Sequence, residues 1–430
     1  MSEKINYWYG SIPFGWNLKR LQWQLDEIKE NNNPVKTDYI LSLTNKLGVV
    51  PYSEKGNQGN VAKENLEGYK IAYPDTIVAN SMNVLIGSVG YCKYYGCVSP
   101  VYYVFKGNGK SNIFFLNYIF QTEVFQKELR KYANGILEIR LRVSASDILK
   151  RKVPTPPLPI QNKIVEILDD KIDKIDALIA NENKQIERLE QYKKAIITKA
   201  VSKGLDSNVR MKDSGIQWIG KIPCHWELQR VKNIGNTQNG ISKSGDSFGK
   251  GYPFVAYGDV YKNYSLPEHV DGLIDSTMEE RRNYSVIAGD IFFTRTSETI
   301  EEVGFSSVCE KTINDAVFAG FLIRLRPYQK DSLILTNFAK YYFRSELLRR
   351  YIVKEMNLVT RASLGQDLLK AMNVVLPPKN EQQQIADYLD EKCEKINRII
   401  EIKKSKIEKL QDYKKSLIYE YVTGKKEVAL

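Results

Sequence analysis

At 430 residues the chain is about two to three times the size of an ordinary domain, so more than one core is expected. Hydrophobic residues make up 43% and aromatic residues 11%, enough to fill those cores, and disorder is not expected. Lys and Arg number 63 against 51 Asp and Glu, a formal charge of +12, which favours a polyanionic partner: nucleic acid first, an anionic membrane surface second.

There is no apolar run of about eighteen residues, so no membrane span is expected. Met1 to Trp16 lacks a basic segment followed by an apolar one, so no secretory leader is expected and a cytoplasmic location is. The five cysteines (Cys92, Cys97, Cys224, Cys309 and Cys393) are odd in number, show no metal-ligand spacing, and read as reduced thiols.

In chain order, the first element is a tryptophan turn: Trp8, Gly10, Ile12, Pro13, Trp16, Leu18 and Arg20. Short β-rich runs follow at Tyr69–Val78 and Val98–Phe105, then a helical stretch from Phe114 to Tyr132. Prolines from Pro154 to Pro159 end this first domain. About 43 residues without proline or glycine come next, roughly 64 Å if helical. There Val165, Leu168, Ile172, Ile175, Ile179, Ile186, Leu189, Ile196 and Ala200 occupy heptad a and d positions, broken only by Glu182 and Lys193.

The tryptophan turn then recurs 210 positions on, as Trp218, Gly220, Ile222, Pro223, Trp226, Leu228 and Arg230. In the second domain Tyr252–Val260, Val286–Phe293 and Phe318–Leu325 read as strands. A second block repeats at an offset of 221: Pro156-Pro157 matches Pro377-Pro378, Gln161 matches Gln382, Ile164 matches Ile385, and Leu168-Asp169 matches Leu389-Asp390. Tyr192-Lys193-Lys194 likewise matches Tyr413-Lys414-Lys415. The second helical stretch places Ala386, Leu389, Cys393, Ile396, Ile400, Ile407, Leu410, Leu417 and Tyr421 on a and d positions, broken by Lys403 and Lys414. Two copies do not make a stacked array, so this is a two-fold duplication. The expected fold is α/β and internally duplicated: two globular domains separated by two long antiparallel coiled-coil helices, with mostly antiparallel sheets. The domains should span 1–154 and 206–376, the helices 155–205 and 377–430. Glu182 and Lys403, at equivalent midpoints of the two seams, are expected to face each other where the helices cross.

A search for catalytic chemistry finds none. His225 lies in a turn where the other copy has Gly15, and His269 stands without a motif around it. Gly107-Asn-Gly-Lys-Ser111 resembles the end of a phosphate-binding loop, but Val104 stands where the first glycine is required, so a polar turn is expected. There is no Asp/Asn-Pro-Pro-Tyr motif, no glycine-rich cofactor loop and no acidic cluster, so neither a catalytic residue nor a metal ligand is expected.

What remains suits binding. Polar and aromatic residues interleave in turn-rich stretches: Lys55, Asn57, Gln58 and Asn60, then Asn80 and Asn83, then Lys93 and Tyr94. The second domain offers Tyr257, Lys262, Arg281, Arg282, Arg295, Thr296, Ser297 and Arg361. Asn and Gln pair bidentately with adenine, Arg with guanine, and Lys or Ser with phosphate. Taken singly, each of these reads as a solvated loop in preference to a base contact. The tryptophan turns are expected to dock each domain onto the helices.

The stretch Met211-Lys-Asp-Ser-Gly-Ile-Gln-Trp-Ile-Gly-Lys-Ile-Pro-Cys-His-Trp226 resembles the linker and domain start of type I restriction-modification specificity subunits. Leu376-Pro-Pro with Glu381-Gln382, and Tyr413-Lys-Lys-Ser-Leu-Ile418 ending in Val422-Thr-Gly-Lys425, are similar to their helical regions. Tyr284 to Phe293 with Arg295-Thr296 is similar to their target-recognition domains. The first copy departs from the pattern in Pro159-Ile-Gln161 and in Val201-Ser-Lys-Gly204. The resemblance implies a non-catalytic subunit whose two target-recognition domains each read half of a split, asymmetric double-stranded DNA sequence from the major groove. It implies two methylation subunits on the helices, with Tyr192, Lys193, Tyr413 and Lys414 as contacts, and restriction subunits joining them. S-adenosylmethionine and ATP with magnesium would be bound by those partners, and no cofactor by this chain. Two other readings stay open: a stand-alone DNA-binding or coiled-coil adaptor protein, and an enzyme whose site carries no familiar motif.

Overall fold

The computed structural model describes residues 8–44, 48–56, 61–135, 141–296, 303–328, 332–356 and 363–428. The chain divides into two compact units, Met1–Asn183 with Lys404–Leu430, and Lys184–Lys403. The two long helices span Leu158–Lys203 and Lys379–Val422. Each unit therefore contains a mixed domain, the first half of the helix that follows it, and the last half of the other helix. The first helix begins before its proline: Pro159 occupies the first turn, where its missing N–H costs nothing. None of the described helices is long and apolar enough to cross a membrane.

Each domain is built on a four-stranded antiparallel sheet. In the first the strand order is Leu25–Ile28, Tyr102–Gly107, Thr76–Asn80, Val89–Cys92; in the second it is Gly235–Asn239, Leu322–Pro327, Ile291–Thr294, Ser306–Val308. The central strands are buried on both faces, and their side chains alternate between two cores. Ile77, Ala79 and Phe105 face the core that includes the long helices, whereas Val78 and Val104 face a smaller core. In the second domain Ile291, Phe293, Ile323 and Leu325 face the helix side, and Phe292 and Leu322 the other. This period-two division explains why these runs read as continuous apolar strands. The smaller cores differ. The first is roofed by the hairpin Leu41–Thr44/Gly48–Pro51 and the pair Lys70–Ala72/Gly96–Val98. The second is roofed by Phe248–Val255, antiparallel to Leu273–Ile274 and parallel to Val317–Phe318.

The joint between each domain and its helix is duplicated in detail. Gln161, 1% exposed, donates to Pro156 O at 2.8 Å and accepts from Asn112 N at 2.8 Å. Gln382, also 1% exposed, donates to Pro377 O and Leu333 O, both at 2.9 Å, and accepts from Leu335 N at 2.8 Å. Asn112 and Leu335 are the N-caps of the helices Ile113–Gln121 and Thr336–Tyr342. One buried amide thus ties the proline exit, the domain helix and the long helix together in each unit. Two turns further along each long helix, Tyr118 donates to Asp169 at 2.5 Å and Tyr341 to Asp390 at 2.6 Å. Burial, then the carboxylate, raises both phenols above the ordinary tyrosine range, so the tyrosines are neutral donors.

The tryptophan turns dock onto helix ends, as expected. Trp16 packs against the core that contains Leu417, Ile418, Tyr421 and Val422, and Trp226 belongs to the core that contains Ile197, Ala200 and Val201. The helix ends are capped by Gly204 at φ +76° and Gly424 at φ +74°, a left-handed conformation that favours glycine. A Cβ on either would stand 3.2 Å from the tryptophan ring. Gly204 is thus the counterpart of Gly424, and the first helix's departure from Val-Thr-Gly-Lys preserves the cap. The other departure is chemical: Glu381 accepts from Trp226 Nε1 at 2.8 Å and contacts His225 Nε2 at 2.6 Å, while its counterpart Ile160 packs into the apolar core.

Within each unit the helix halves run antiparallel. In the first, Lys414 bonds Asp176 at 2.8 Å and Lys406 bonds Glu182 at 2.6 Å; in the second, Lys193 bonds Asn397 at 2.8 Å and Lys403 bonds Gln185 at 2.5 Å. These are equivalent pairs displaced by 221 residues. Glu182 is 4% exposed and is hydrogen-bonded by Lys406, three residues beyond Lys403.

Two outcomes follow from this packing. Gln382→Ala removes three hydrogen bonds and should lower unfolding stability by about 2–3 kcal/mol, with Gln382→Glu intermediate, in chemical denaturation of the full chain. In double-mutant cycles, Glu182 with Lys406 should couple by about 1–2 kcal/mol, because the carboxylate is desolvated. Asp176 with Lys414, whose carboxylate is half exposed, should couple by less than about 1 kcal/mol.

Candidate nucleic-acid interface

In both domains several chain segments meet where the central strand ends. In the first, Asn80 N donates to Ser88 O at 3.0 Å, Ser81 N to Val101 O at 3.2 Å, and Val143 N to Ser81 O at 3.0 Å. In the second, Thr294 N donates to Phe305 O at 2.8 Å, Arg295 N to Phe321 O at 2.9 Å, and Leu364 N to Arg295 O at 2.7 Å. Ser81 therefore corresponds to Arg295, and Val101 to Phe321. The backbone scaffold is common to both corners; the side chains it presents are not. Two of the polar, turn-rich stretches, Asn80 to Asn83 and Arg295-Thr296, occupy the same place in the fold.

The chosen residues divide by what their side chains already do. Asn80 is buried, and its Oδ1 accepts from Met82 N at 3.0 Å and Asn83 N at 3.3 Å, so its side chain shapes the turn. Asn83 is exposed and lines a cleft of about 500 Å³ with Ser42, Tyr52 and Tyr102. Lys55 stands 4.4 Å over the Tyr52 ring. Lys93 is exposed over Tyr94, which meets Tyr39 edge-on.

In the second domain, Tyr257 stacks on Tyr261, and its buried hydroxyl has no hydrogen-bond partner among the described residues. Lys262 ends the same short helix and is exposed. Arg281 is committed internally: it donates to Ser276 O at 2.6 Å, pairs with Asp315 at 3.2 Å and lies 3.6 Å over the Tyr252 ring. Arg282 is exposed and lines a second cleft with Met278, Val286 and Thr312. Arg295 and Thr296 are half-buried at the corner, where Thr296 bridges to Ser363. Asn57, Gln58, Asn60, Ser297 and Arg361 lie outside the described residues. The polar turn at Gly107–Ser111 is structural: Asn108 donates to Trp23 O, and Ser111 to the buried Gln24.

On the helices, Lys193 and Lys414 reach across the seam, and burial lowers the Lys193 pKa. Tyr192 and Tyr413 remain 55% and 52% exposed. Two residues that the sequence reading missed accompany them: Leu178 and Ile399, 46% and 43% exposed and 221 positions apart. All four sit one residue before an a position, so within each unit the two lie on one flank of the paired helix halves. Leu178 joins Tyr413 in the first unit, and Ile399 joins Tyr192 in the second. An apolar residue that recurs in both copies but lies off the seam is the signal that would have found them.

Comparison with known proteins agrees with this geometry. The profile of the type I restriction modification DNA specificity domain matches residues 27–188 and 223–411. A Methanocaldococcus jannaschii protein, named provisionally as the type I restriction enzyme MjaX specificity subunit, is 23% identical over 97% of this chain and 95% of its own length. The type I restriction enzyme EcoKI specificity subunit of Escherichia coli K12 is 22% identical over 69% of this chain and 60% of its own. In fold, a chain solved in a study of type I R-M complex assembly and conformational transition aligns with a TM-score of 0.72 and 13% identity, covering 96% of this chain and 98% of that one. The HsdS subunit of Thermoanaerobacter tengcongensis aligns with a TM-score of 0.52 and 14% identity over 99% and 100%. With its duplicated domains, paired helices and a profile match over most of its length, the chain belongs to the type I restriction-modification DNA specificity family, as a non-catalytic specificity subunit.

Proposed function

We propose that this chain reads a split, asymmetric DNA sequence through the major groove, one half per domain, for a type I restriction-modification complex. The observation that carries this reading is the duplicated corner. A common backbone scaffold presents Asn83 beside Ser81 and Val101 in one domain, and Arg295 beside Phe321 in the other. Equivalent scaffolds with different side chains suit two unlike half-sites, and the excess of basic residues suits the phosphates between them. The roofs over the smaller cores, which also differ between domains, extend the same logic to the surrounding surface.

In this reading the paired helices fix the gap between half-sites and carry two copies of a methylation subunit. The exposed pair Leu178 with Tyr413, repeated as Ile399 with Tyr192, supports two equivalent seats for one kind of partner. The methylation subunits would bind S-adenosylmethionine and methylate adenine at N6, taking the base out of the stack in their own sites. Restriction subunits would bring ATP with magnesium.

Two measurements test the reading. Exchanging residues 1–154 for the corresponding domain of another family member should change one half of the methylated sequence and leave the other intact. Methylome sequencing reads the result, and a change in both halves would refute independent readout. Tyr192→Asp and Tyr413→Asp should each remove one of two methylation subunits from the purified complex, and the double variant both, as native mass spectrometry reports. An unchanged stoichiometry in the double variant would place the seats elsewhere.

A further inference from the structure

The corner of the second domain carries a side chain that the fold does not use. Phe321 is 65% exposed, while the next residue, Leu322, is fully buried at the start of a central strand. Its turn is held on every side. Phe321 O accepts from Arg295 N at 2.9 Å, Gly320 N donates to Ile241 O at 2.8 Å, Leu322 N to Ala319 O at 2.9 Å, and Ala319 N to Val255 O at 3.0 Å. The neighbouring turn presses so close that a Cβ on Gly240 would collide with the carbonyls of Phe318 and Ala319. Three separate segments thus pin a turn whose outermost group is a bare phenyl ring.

Single apolar residues on a surface are ordinary. This one differs in its position. It stands at the corner where Arg295 is presented, and its counterpart in the first domain is the smaller, half-buried Val101. A rigid turn cannot fold the ring back into a core, so its apolar area stays in water until something covers it. A phenyl ring neither donates a hydrogen bond nor neutralises a phosphate. In the major groove the apolar group that base pairs present is the C5-methyl of thymine.

We propose that Phe321 is a specificity residue of the second half-site, packing its ring on the C5-methyl group of one thymine. The inference rests on the reading of the chain as the DNA-recognition subunit. Arg295, on the adjoining strand end, supplies the polar contact that fixes register beside it. Covering one methyl-sized group is worth about fourfold in affinity.

The test uses the full chain with its methylation subunits and a duplex carrying the sequence methylated in the host. The domain exchange above identifies the half read by the second domain. Each thymine of that half is replaced in turn by deoxyuridine, which lacks only the methyl group. One replacement should weaken binding by the wild-type complex about fourfold. Phe321→Ala should bind the thymine duplex about fourfold more weakly than wild type and bind the thymine and uracil duplexes alike. Phe321→Leu should recover part of the discrimination. Responses to replacements in the first half should not change with the variant, and because the residue is exposed its thermal unfolding should match wild type. Phe321→Ala retaining the wild-type response at every thymine, or a second half-site without an A·T pair, overturns the proposal. A wild-type complex that binds its sequence no better than random DNA overturns instead the recognition reading beneath it.

Discussion

A helix of 46 residues with an apolar stripe only two heptad positions wide has little stability alone in water; it needs another helix along its length. The second long helix, 44 residues with the same stripe, meets that need in antiparallel register within each compact unit. Much of the architecture follows from this one requirement. Because the helices pair antiparallel, each domain core is completed by the end of the helix that belongs to the other repeat. Leu417, Ile418, Tyr421 and Val422 fill the first domain's core, and Ile197, Ala200 and Val201 the second's. The first domain therefore lacks part of its core until Leu417 to Val422, in the final turns of the second long helix, have been made.

The seam is specified by polar pairs as well as by apolar ones. Lys406 with Glu182 and Lys403 with Gln185 occupy equivalent positions, yet one pair is ionic and the other is not. A nearly buried carboxylate is costly unless a cation and hydrogen bonds accompany it, whereas an amide carries a smaller desolvation cost. The duplication has kept the geometry while the chemistry of the two copies diverged. The same holds at the joints: Gln161 and Gln382 keep their buried hydrogen bonds, while Ile160 and Glu381 beside them solve different problems.

The domains show where divergence is permitted. The central strands, buried on both faces, keep order and register in both copies, since a one-residue slip would exchange the two cores. The smaller cores carry a hairpin in one domain and a mixed three-stranded sheet in the other. The corners share a set of backbone hydrogen bonds and leave their outward side chains free to differ, as the proposed reading of two unlike half-sites requires.

Much of this was legible in the sequence. The heptad stripes, the proline exits, the two tryptophan turns and the duplication at offsets of 210 and 221 are local spacings, and local spacing survives in a linear string. The correspondence of Ser81 with Arg295 was not legible. Its offset is 214, set by strand register inside insertions of unequal length, and only the pairing of backbone groups reveals it. Nor could the string show that Asn80 and Arg281 are committed to their own turns and partners while Asn83 and Arg282 are exposed, because that depends on which groups folding buries and satisfies. The sequence by itself determined the repeat, the seam and the family. The tertiary structure decided which end of which helix completes each core and which side chains are left for a partner. Periodicity is a property of neighbours along the chain, whereas burial and hydrogen-bond satisfaction are properties of neighbours in space.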